Sequence, residues 1–252
     1  MKHLFDAEGR HALQQILSSE PLLAFDFDGT LAPIVPRPDD ARVPAPLAQR
    51  LAELALLRPV AIVTGRRIND VAPRLGFEPR FVVGNHGAED PSRDPEPVTL
   101  EAMDRLRRWL ALHAQVLRNA GVQIEDKGLS VALHYRLAAD HDRAIESIDA
   151  VLAELDPALH RFGGKCVVNI VPALAPDKGD AIASLLARSG AGSVVFVGDD
   201  VTDEAVFRRA EANWLTVRIG RDDPQSQARF FLDSHTEVAC LLQTLLDALA
   251  AH

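Results

Sequence analysis

The sequence has few cysteines, no excess of positive charge and no long apolar segment. Its two cysteines, Cys166 and Cys240, cannot form a disulfide framework, which fits a reducing compartment. The formal net charge of −9 argues against a general nucleic-acid-binding protein, whose mark is a basic patch. It does not exclude a small anionic substrate, because such a molecule responds to local charge.

Membrane and nucleotide-binding signals are also missing. No apolar stretch is long and unbroken enough to span a bilayer, and the first residues are charged and mixed rather than apolar as in a signal peptide. A P-loop enzyme is disfavoured, since the GGKC at 163–166 lacks the spacing and the hydroxyl residue of that motif. We therefore expect a soluble cytoplasmic protein without membrane or nucleic-acid partners, and we favour a monomer.

Strand and helix patterns alternate along much of the chain. With 252 residues, 47% of them hydrophobic, the protein can bury a core. The alternation predicts an α/β fold with a doubly wound parallel sheet. The predicted strands are 22–27, 60–64, 81–84, 193–198 and 214–219, and the predicted helices are 46–57, 66–74, 178–189, 202–212 and 236–250.

The middle of the chain follows a different pattern. A stretch rich in proline and charge, AEDPSRDPEPV at 88–98, reads as a linker. It precedes a long amphipathic helix (99–119), a strand (129–136), a helix (140–155) and a strand (165–171). We predict a catalytic core of residues 1–90 and 173–252, interrupted by an α+β cap domain of residues 91–172. Its proline-rich flanks favour a lid that reads the substrate.

Two acidic residues follow the first predicted core strand, in LLAFDFDGT. Asp26 and Asp28 leave the same face of an extended chain, with Cα atoms about 6–7 Å apart. They are expected at the carboxyl end of a central strand, where open α/β sheets bind their ligands. Two carboxylates this close repel each other unless a proton or a cation lies between them. The alternative is an ordinary turn in which the aspartates bond to backbone amides.

A second acidic group follows a later strand, in FVGDDVTDE. Because the carboxyl ends of parallel strands converge, Asp199, Asp200 and Asp203 are expected near Asp26 and Asp28. Such a cluster is unfavourable without a hard cation, and oxygen ligands of this kind suit Mg²⁺. We assign Asp199 as the metal ligand and Asp200 and Asp203 as supporting acids. Helix capping is an alternative role for Asp200, with Asp203 in the first turn.

Two further stretches place polar groups at the same edge. IVTGR contributes Thr64 and Arg66, and PDKGDA contributes Lys178. A hydroxyl and an ammonium beside a Mg²⁺–aspartate site are the groups that a phosphate requires. Taken singly, a turn threonine and a solvated lysine are equally ordinary interpretations.

DFDGT, TGR, the lone lysine and GDDVTDE occur in the order found in haloacid dehalogenase-type phosphatases, which this chain resembles from residue 22 to about 207. The resemblance implies that Asp26 is the nucleophile and that Asp28 is the general acid and then base. It also implies that Asp26, the Asp28 backbone carbonyl and Asp199 hold Mg²⁺. Thr64 and Lys178 would bind the phosphoryl oxygens. These roles agree with covalent carboxylate catalysis and with phosphoryl transfer driven by positioning and charge.

The inserted segment resembles the cap of trehalose-6-phosphate phosphatases. The resemblance is carried by HGAE, by the IEDKGLSVALHYR stretch and by the strand after Lys165. It implies a phosphosugar substrate, trehalose 6-phosphate, which would be hydrolysed to trehalose and phosphate. The expected substrate-binding residues are Arg66, His86, Glu125, Lys127, His134, Arg136, Lys165 and Asn169.

Position 169 departs from the family pattern, which usually has Glu four residues after the lysine. Asn169 brings no charge and has one acceptor oxygen. The sequence therefore specifies the identity of the sugar less closely than it specifies the reaction. Solvated charges on an ordinary amphipathic sheet are the simpler interpretation of any one of these cap residues.

Two other functions stay open. One is a phosphatase of the same fold acting on a sucrose-type or glycerate-linked phosphosugar. The other is a signalling receiver domain, which also uses Mg²⁺, a phosphorylated aspartate and a lysine. A receiver has no need of the large insertion or of a second catalytic acid such as Asp28, so we predict an enzyme, a phosphoric monoester hydrolase.

Overall fold

The computed structural model describes residues 1–250 and divides them into two compact units. The first unit comprises Met1–Pro91 and the chain from Pro176 onward, and the second is Ser92–Ala175. Each unit has its own hydrophobic core. None of the helices in the described part is long and apolar enough to cross a membrane.

The first unit is built on a seven-stranded sheet. Its strands are β1 (Lys2–His3), β2 (Leu22–Phe25), β3 (Val60–Val63), β4 (Phe81–Val83), β9 (Val194–Gly198), β10 (Trp214–Ile219) and β11 (Phe230–Leu232). They lie in the order β1-β11-β10-β9-β2-β3-β4, and all neighbouring strands are parallel. This confirms the predicted doubly wound α/β fold.

Helices cover both faces of this sheet, so its central strands are apolar on both sides. On β2, Leu23 and Phe25 contribute to one apolar cluster, whereas Leu22 and Ala24 contribute to another. This alternation follows from the two-residue period of a strand. The helices of the unit are α1 (Ala7–Leu17), α2 (Ala45–Leu57), α3 (Ile68–Leu75), α6 (Lys178–Ser189), α7 (Glu204–Arg209) and α8 (Thr236–Ala250).

The second unit pairs a four-stranded antiparallel sheet with two helices. The elements are α4 (Pro97–Asn119), β5 (Gln123–Asp126), β6 (Val131–His134), α5 (His141–Val151), β7 (Leu159–Gly164) and β8 (Val167–Pro172). The sheet order is β5-β6-β8-β7. Val131, Leu133 and Ile170 face the helices and form the core with them.

One predicted strand begins too early. The strand expected at 165–171 is β8, Val167–Pro172, and Lys165 and Cys166 instead form the turn between β7 and β8. Cys166 has a φ of 61°, a left-handed conformation that does not belong in a strand. Lys165 and Asn169 therefore do not lie on one strand, contrary to the prediction. Five further elements were not predicted: β1, α1, β5, β7 and β11.

Candidate active site

Three adjacent strands end in the polar residues singled out from the sequence. Asp26 follows β2, Thr64 follows β3 and Asp199 follows β9, and β2 lies between β9 and β3 in the sheet. The backbone N–H of Asp26 donates to the Val197 carbonyl, which fixes the end of β2 to β9. The parallel arrangement thus brings polar groups from distant parts of the chain to one edge.

Lys178 joins two of the carboxylates at this edge. Its Nζ donates to Asp26 Oδ1 at 2.8 Å and to Asp203 Oδ1 at 2.7 Å. All three side chains are buried. Lys178 is the first residue of α6, and the Asp177 side chain caps that helix by accepting from the Asp180 N–H. The cap fixes where α6 begins, and this places the ammonium against Asp26.

Burial and the charge of the partner act in opposite directions on the pKa values of Asp26 and Lys178. Burial raises the pKa of Asp26 well above its usual range; Lys178 lowers it, and the carboxylates of Asp203 and Asp199 raise it further. Burial disfavours the charged form of Lys178, but Asp203 and Asp26 outweigh that effect and raise the pKa of the ammonium. Lys178 is therefore a fixed positive charge beside a carboxylate that needs additional neutralisation to stay ionised.

Asp199 completes a group of three buried carboxylates. Oxygens of Asp26, Asp199 and Asp203 lie within 4.8 Å of one another. Thr30 Oγ1 donates to Asp199 Oδ1 at 3.4 Å. Gly29 has a φ of +81°, and a Cβ at this position would lie 2.1 Å from Asp199 Oδ2, so the turn after β2 admits only glycine so close to that carboxylate.

This donor set fits a magnesium ion. Lys178 pairs with Asp26 and Asp203, and the carboxylate of Asp199 lies within the same buried group, where clustered acids are favourable only with further positive charge. Carboxylate oxygens are the ligands that Mg²⁺ prefers. Asp203 already receives Lys178 on one oxygen and the Asp200 N–H on the other, at 2.9 Å. Asp26 and Asp199 are therefore the better candidates for direct ligands, and Asp203 positions Lys178.

Asp28 lies at the same edge, but its carboxylate is held by Arg66. Arg66 Nε donates to Asp28 Oδ2 at 2.7 Å, and Nη2 donates to Oδ1 at 2.8 Å. The Asp28 side chain is 39% exposed, in contrast to the buried Asp26. The two aspartates of the DFD sequence thus occupy different environments, one beside Lys178 and the other on an arginine fork at the surface.

Thr64 and His86 are brought together beyond β3. Thr64 is buried, its Oγ1 accepts from the Arg66 N–H, and its carbonyl accepts from the His86 N–H. The His86 ring lies so close to Gly65 that a Cβ there would be 2.3 Å from His86 Cε1. His86 is held in a left-handed conformation with a φ of 59°.

The loop that carries His86 depends on a residue that sequence reasoning did not list as part of the site. Glu89 Oε2 accepts from Asn85 Nδ2 at 2.7 Å and from the Ile68 N–H at 3.1 Å. These bonds hold a loop in which Asn85 also has positive φ, at 48°. Glu89 belongs to the HGAE stretch, but its contact with Asn85 forms only when the loop turns back on itself, so the sequence did not indicate this role.

The predicted residues of the second unit form two groups. His134 Nε2 lies 2.7 Å from Glu125 Oε2, and Lys127 Nζ lies 3.8 Å from the same oxygen. In the other group, Arg136 Nη2 donates to the Lys165 carbonyl at 3.0 Å.

Asn169 shares a sheet face with the first of these groups. It lies opposite Ala132, which in turn lies opposite Glu125. This row is on the face of the sheet that points away from α4 and α5, because Val131 and Leu133 occupy the other face. The second unit therefore concentrates acidic, basic and amide groups on one face.

Several known proteins that are similar to this chain are trehalose-phosphate phosphatases or share their fold. The sequence matches the family described as trehalose-phosphatase over residues 24–236. It is 40% identical over 222 residues to a probable trehalose-phosphate phosphatase of Sinorhizobium fredii, covering 82% of this chain and 80% of that protein. It is 33% identical over 221 residues to the trehalose-6-phosphate phosphatase of Escherichia coli, covering 84% and 82%.

Other curated relatives are longer, and the chain spans 63% of one and 19% of another. Among solved structures, the C-terminal domain of C. albicans trehalose-6-phosphate phosphatase superposes with a TM-score of 0.78 at 21% identity, covering 94% of this chain and 96% of that one. At this identity the match shows a common fold.

Proposed function

Because this chain belongs to the trehalose-phosphatase family, and is therefore a phosphatase, we propose that it hydrolyses trehalose 6-phosphate through a phosphorylated Asp26. The observation that carries the proposal is the position of Asp26, buried between Lys178 and the carboxylates of Asp199 and Asp203. A carboxylate held this way can act as a covalent nucleophile. The products are trehalose and inorganic phosphate.

In the first step an Asp26 oxygen attacks the phosphorus atom of the substrate. A bond forms between Asp26 and phosphorus as the bond from phosphorus to the sugar oxygen breaks. Asp28 gives its proton to the departing sugar oxygen, which leaves as a hydroxyl group. Asp28 is suited to this exchange because its side chain is partly exposed, whereas Asp26 is buried.

In the second step a water molecule attacks the phosphorus atom of the aspartyl-phosphate. Asp28, now a carboxylate, takes a proton from this water, and the bond between phosphorus and Asp26 breaks. Free phosphate and the original carboxylate of Asp26 are formed. Two adjacent carboxylates are needed because one forms the covalent bond while the other moves the proton.

Asp26, Asp199 and the Asp28 carbonyl are proposed to hold Mg²⁺, which when bound neutralises negative charge on the phosphoryl group and on Asp26. Lys178 and Thr64 are proposed to bind the phosphoryl oxygens. Lys178 is supported by its fixed charge beside Asp26, and Thr64 by its position at the end of the neighbouring strand. Phosphoryl transfer needs mainly such positioning and charge neutralisation.

The second unit is proposed to recognise the sugar. The support is one face of its sheet, which carries donors and acceptors of the kind that bind hydroxyl groups: Glu125, Lys127, His134 and Asn169. Arg136 follows His134 by two positions, and its side chain donates to the carbonyl of Lys165. Asn169 is buried and uncharged, so it would serve as a neutral hydrogen-bonding group.

Variants of the sugar-recognising unit should lose activity on the disaccharide selectively. Arg136→Ala and Lys165→Ala are each expected to lower kcat/KM for trehalose 6-phosphate by about 10–100-fold, since a hydrogen bond to a charged group is worth about 1.5–3 kcal/mol. Hydrolysis of p-nitrophenyl phosphate, which has no sugar, should change less than about threefold. The measurement is kcat/KM on both substrates.

Arg161→Ala is the matched control for these variants. Arg161 lies in the same unit but opposite Ile170, on the face that packs against the helices, and its side chain pairs with Asp149 of α5. It should leave both activities unchanged. Equal losses on both substrates in Arg136→Ala and Lys165→Ala would contradict a role in sugar recognition.

The reaction itself is tested by product analysis. Wild-type protein with Mg²⁺ and excess trehalose 6-phosphate is expected to release trehalose and phosphate in equal amounts over many turnovers. A receiver domain would instead take up one phosphate per molecule and stop. Turnover of another phosphosugar, with trehalose 6-phosphate left intact, would favour the alternative sugar phosphatase.

A further inference from the structure

The Arg66 side chain is engaged by the protein itself. In addition to the two bonds to Asp28, Nη1 donates to Asp70 Oδ2 at 2.8 Å and Nη2 donates to the Pro38 carbonyl at 2.9 Å. These bonds use four of the five N–H groups of an arginine. The guanidinium also lies over the Phe27 ring, with Cζ 5.2 Å from the centroid, and it is 12% exposed. Little of it is left to contact a substrate.

The orientation of Arg66 is fixed in turn by α3. Asp70, which binds Arg66 with one oxygen, receives Arg74 Nη2 on the other at 2.6 Å, and Arg74 Nε donates to the Asp70 carbonyl at 2.8 Å. Burial acts to raise the pKa of Asp70, but Arg66 and Arg74 outweigh it and hold that pKa below its usual range. Asp70 therefore stays ionised and holds the guanidinium of Arg66 in one orientation.

We propose that Arg66 is the positioning residue of Asp28 rather than a ligand of the substrate. An arginine fork on a carboxylate fixes its plane as well as its location. Each carboxylate oxygen retains a second acceptor site, so Asp28 can exchange a proton while it stays on the fork. The inference rests on the proposed function, because it gives Asp28 the role of acid and then base.

The two steps of the reaction respond differently if Asp28 is misplaced. With trehalose 6-phosphate, the leaving oxygen needs a proton from Asp28, so both steps become slower. With p-nitrophenyl phosphate, the nitrophenolate leaves without a proton, so the formation of the aspartyl-phosphate is unaffected. Its hydrolysis still needs Asp28 as the base for water, so only the second step becomes slower. Loss of positioning should therefore cause the phosphorylated enzyme to accumulate.

The test is rapid mixing of Arg66→Gln with p-nitrophenyl phosphate, with Arg221→Gln as the control. Arg221 follows β10 and pairs with Asp233 at 2.6 Å, outside the ion-pair chain of Arg66, Asp28 and Asp70. We expect Arg66→Gln to release a burst of about one nitrophenolate per active site, followed by a steady rate about 100-fold below that of wild type. On trehalose 6-phosphate its kcat should fall about 100-fold, with KM within about threefold. Arg221→Gln should show neither change.

A double variant gives a second measurement. If Arg66 acts through Asp28, Arg66→Gln combined with Asp28→Asn should be no slower than Asp28→Asn alone, because the positioned group is already gone. If Arg66→Gln does not fold, as judged by circular dichroism, Arg66→Lys replaces it. That variant keeps the charge but cannot form the fork, and it should show the same burst with a smaller loss of kcat.

Three results would overturn the proposal. A raised KM with unchanged kcat and no burst would make Arg66 a substrate ligand. A lower Tm with wild-type kinetics would make it structural, and additive losses in the double variant would mean that it acts apart from Asp28. The proposed function is tested independently of the role of Arg66. Wild-type protein that hydrolyses p-nitrophenyl phosphate but not trehalose 6-phosphate would overturn the proposed substrate. The burst in Arg66→Gln would still decide whether Arg66 positions Asp28. A wild-type protein inactive on both would overturn both.

Discussion

Asp26→Asn is expected to reduce phosphate release from trehalose 6-phosphate by at least about 10⁴-fold, because an amide cannot replace a carboxylate as the covalent nucleophile. The substitution preserves the shape of the side chain, and Lys178 keeps its bond to Asp203. The fold should therefore survive. We expect a Tm within about 4 °C of wild type, the shift that ~1 kcal/mol produces in a protein of this size. Initial rates and thermal unfolding are measured on the same preparation.

Asp233→Asn is the control for this substitution. Asp233 follows β11, three strands away from β2 in the sheet, and its side chain pairs with Arg221. It should retain wild-type activity. Retention of more than about a tenth of the activity in Asp26→Asn would rule out Asp26 as the nucleophile, because such a loss ordinarily spans several powers of ten.

Removal of divalent cations is expected to abolish activity, and addition of Mg²⁺ should restore it. The reason is the group of Asp26, Asp199 and Asp203, whose buried carboxylate oxygens lie within 4.8 Å of one another while Lys178 pairs with two of them, Asp26 and Asp203. Ca²⁺ should restore activity poorly, since it prefers more ligands at longer distances than an octahedral Mg²⁺ site provides. The protein is dialysed against a chelator, freed of it, and assayed over a range of each cation.

Thermal unfolding provides a readout that does not depend on turnover. A ligand that binds only the folded protein raises its stability by RT ln(1 + [L]/Kd), so Mg²⁺ should raise the Tm of wild type. In Asp199→Asn the same rise should require more Mg²⁺, because one carboxylate ligand is lost. Full activity after exhaustive chelation, or an identical Mg²⁺ response in Asp199→Asn, would contradict the proposed site.

Much of the sheet-edge arrangement could be predicted because it follows from topology. In a parallel sheet the carboxyl ends of neighbouring strands meet, so an apolar run followed by a polar residue already places Asp26, Thr64 and Asp199 together. The start of α6 at Lys178 could also be predicted, because Asp177 is a strong capping residue.

The antiparallel sheet of the second unit was harder to predict. All four residues of β5, Gln123–Asp126, are exposed, and three of them are polar, so the strand lacks the apolar alternation by which strands are recognised. The turn at Lys165 and Cys166 was assigned to a strand because apolar β-branched residues follow it directly. Within that turn Cys166 adopts a left-handed conformation, which a non-glycine residue rarely does, so the residue type does not indicate it.

The surroundings of Arg66 and Lys178 depend on contacts between distant residues. Arg66 and Asp28 are 38 positions apart, and Lys178 and Asp26 are 152 apart. Periodicity indicates which face of an element is buried, but it does not indicate which anion an arginine will bind. For that reason the sequence places Arg66 at the site without revealing that its guanidinium lies on Asp28 and Asp70.

The central claim is tested most directly by comparing kcat/KM for trehalose 6-phosphate, sucrose 6-phosphate and glucose 6-phosphate under identical Mg²⁺ concentrations. Phosphate release is followed for wild type, with Asp26→Asn measured in parallel to exclude contaminating phosphatases. We predict that trehalose 6-phosphate is the best substrate, by at least about 100-fold over glucose 6-phosphate, because sites built to hydrogen-bond hydroxyl groups reject substrates that lack them. A higher kcat/KM for sucrose 6-phosphate or glucose 6-phosphate, or equal values for all three, would contradict the assignment.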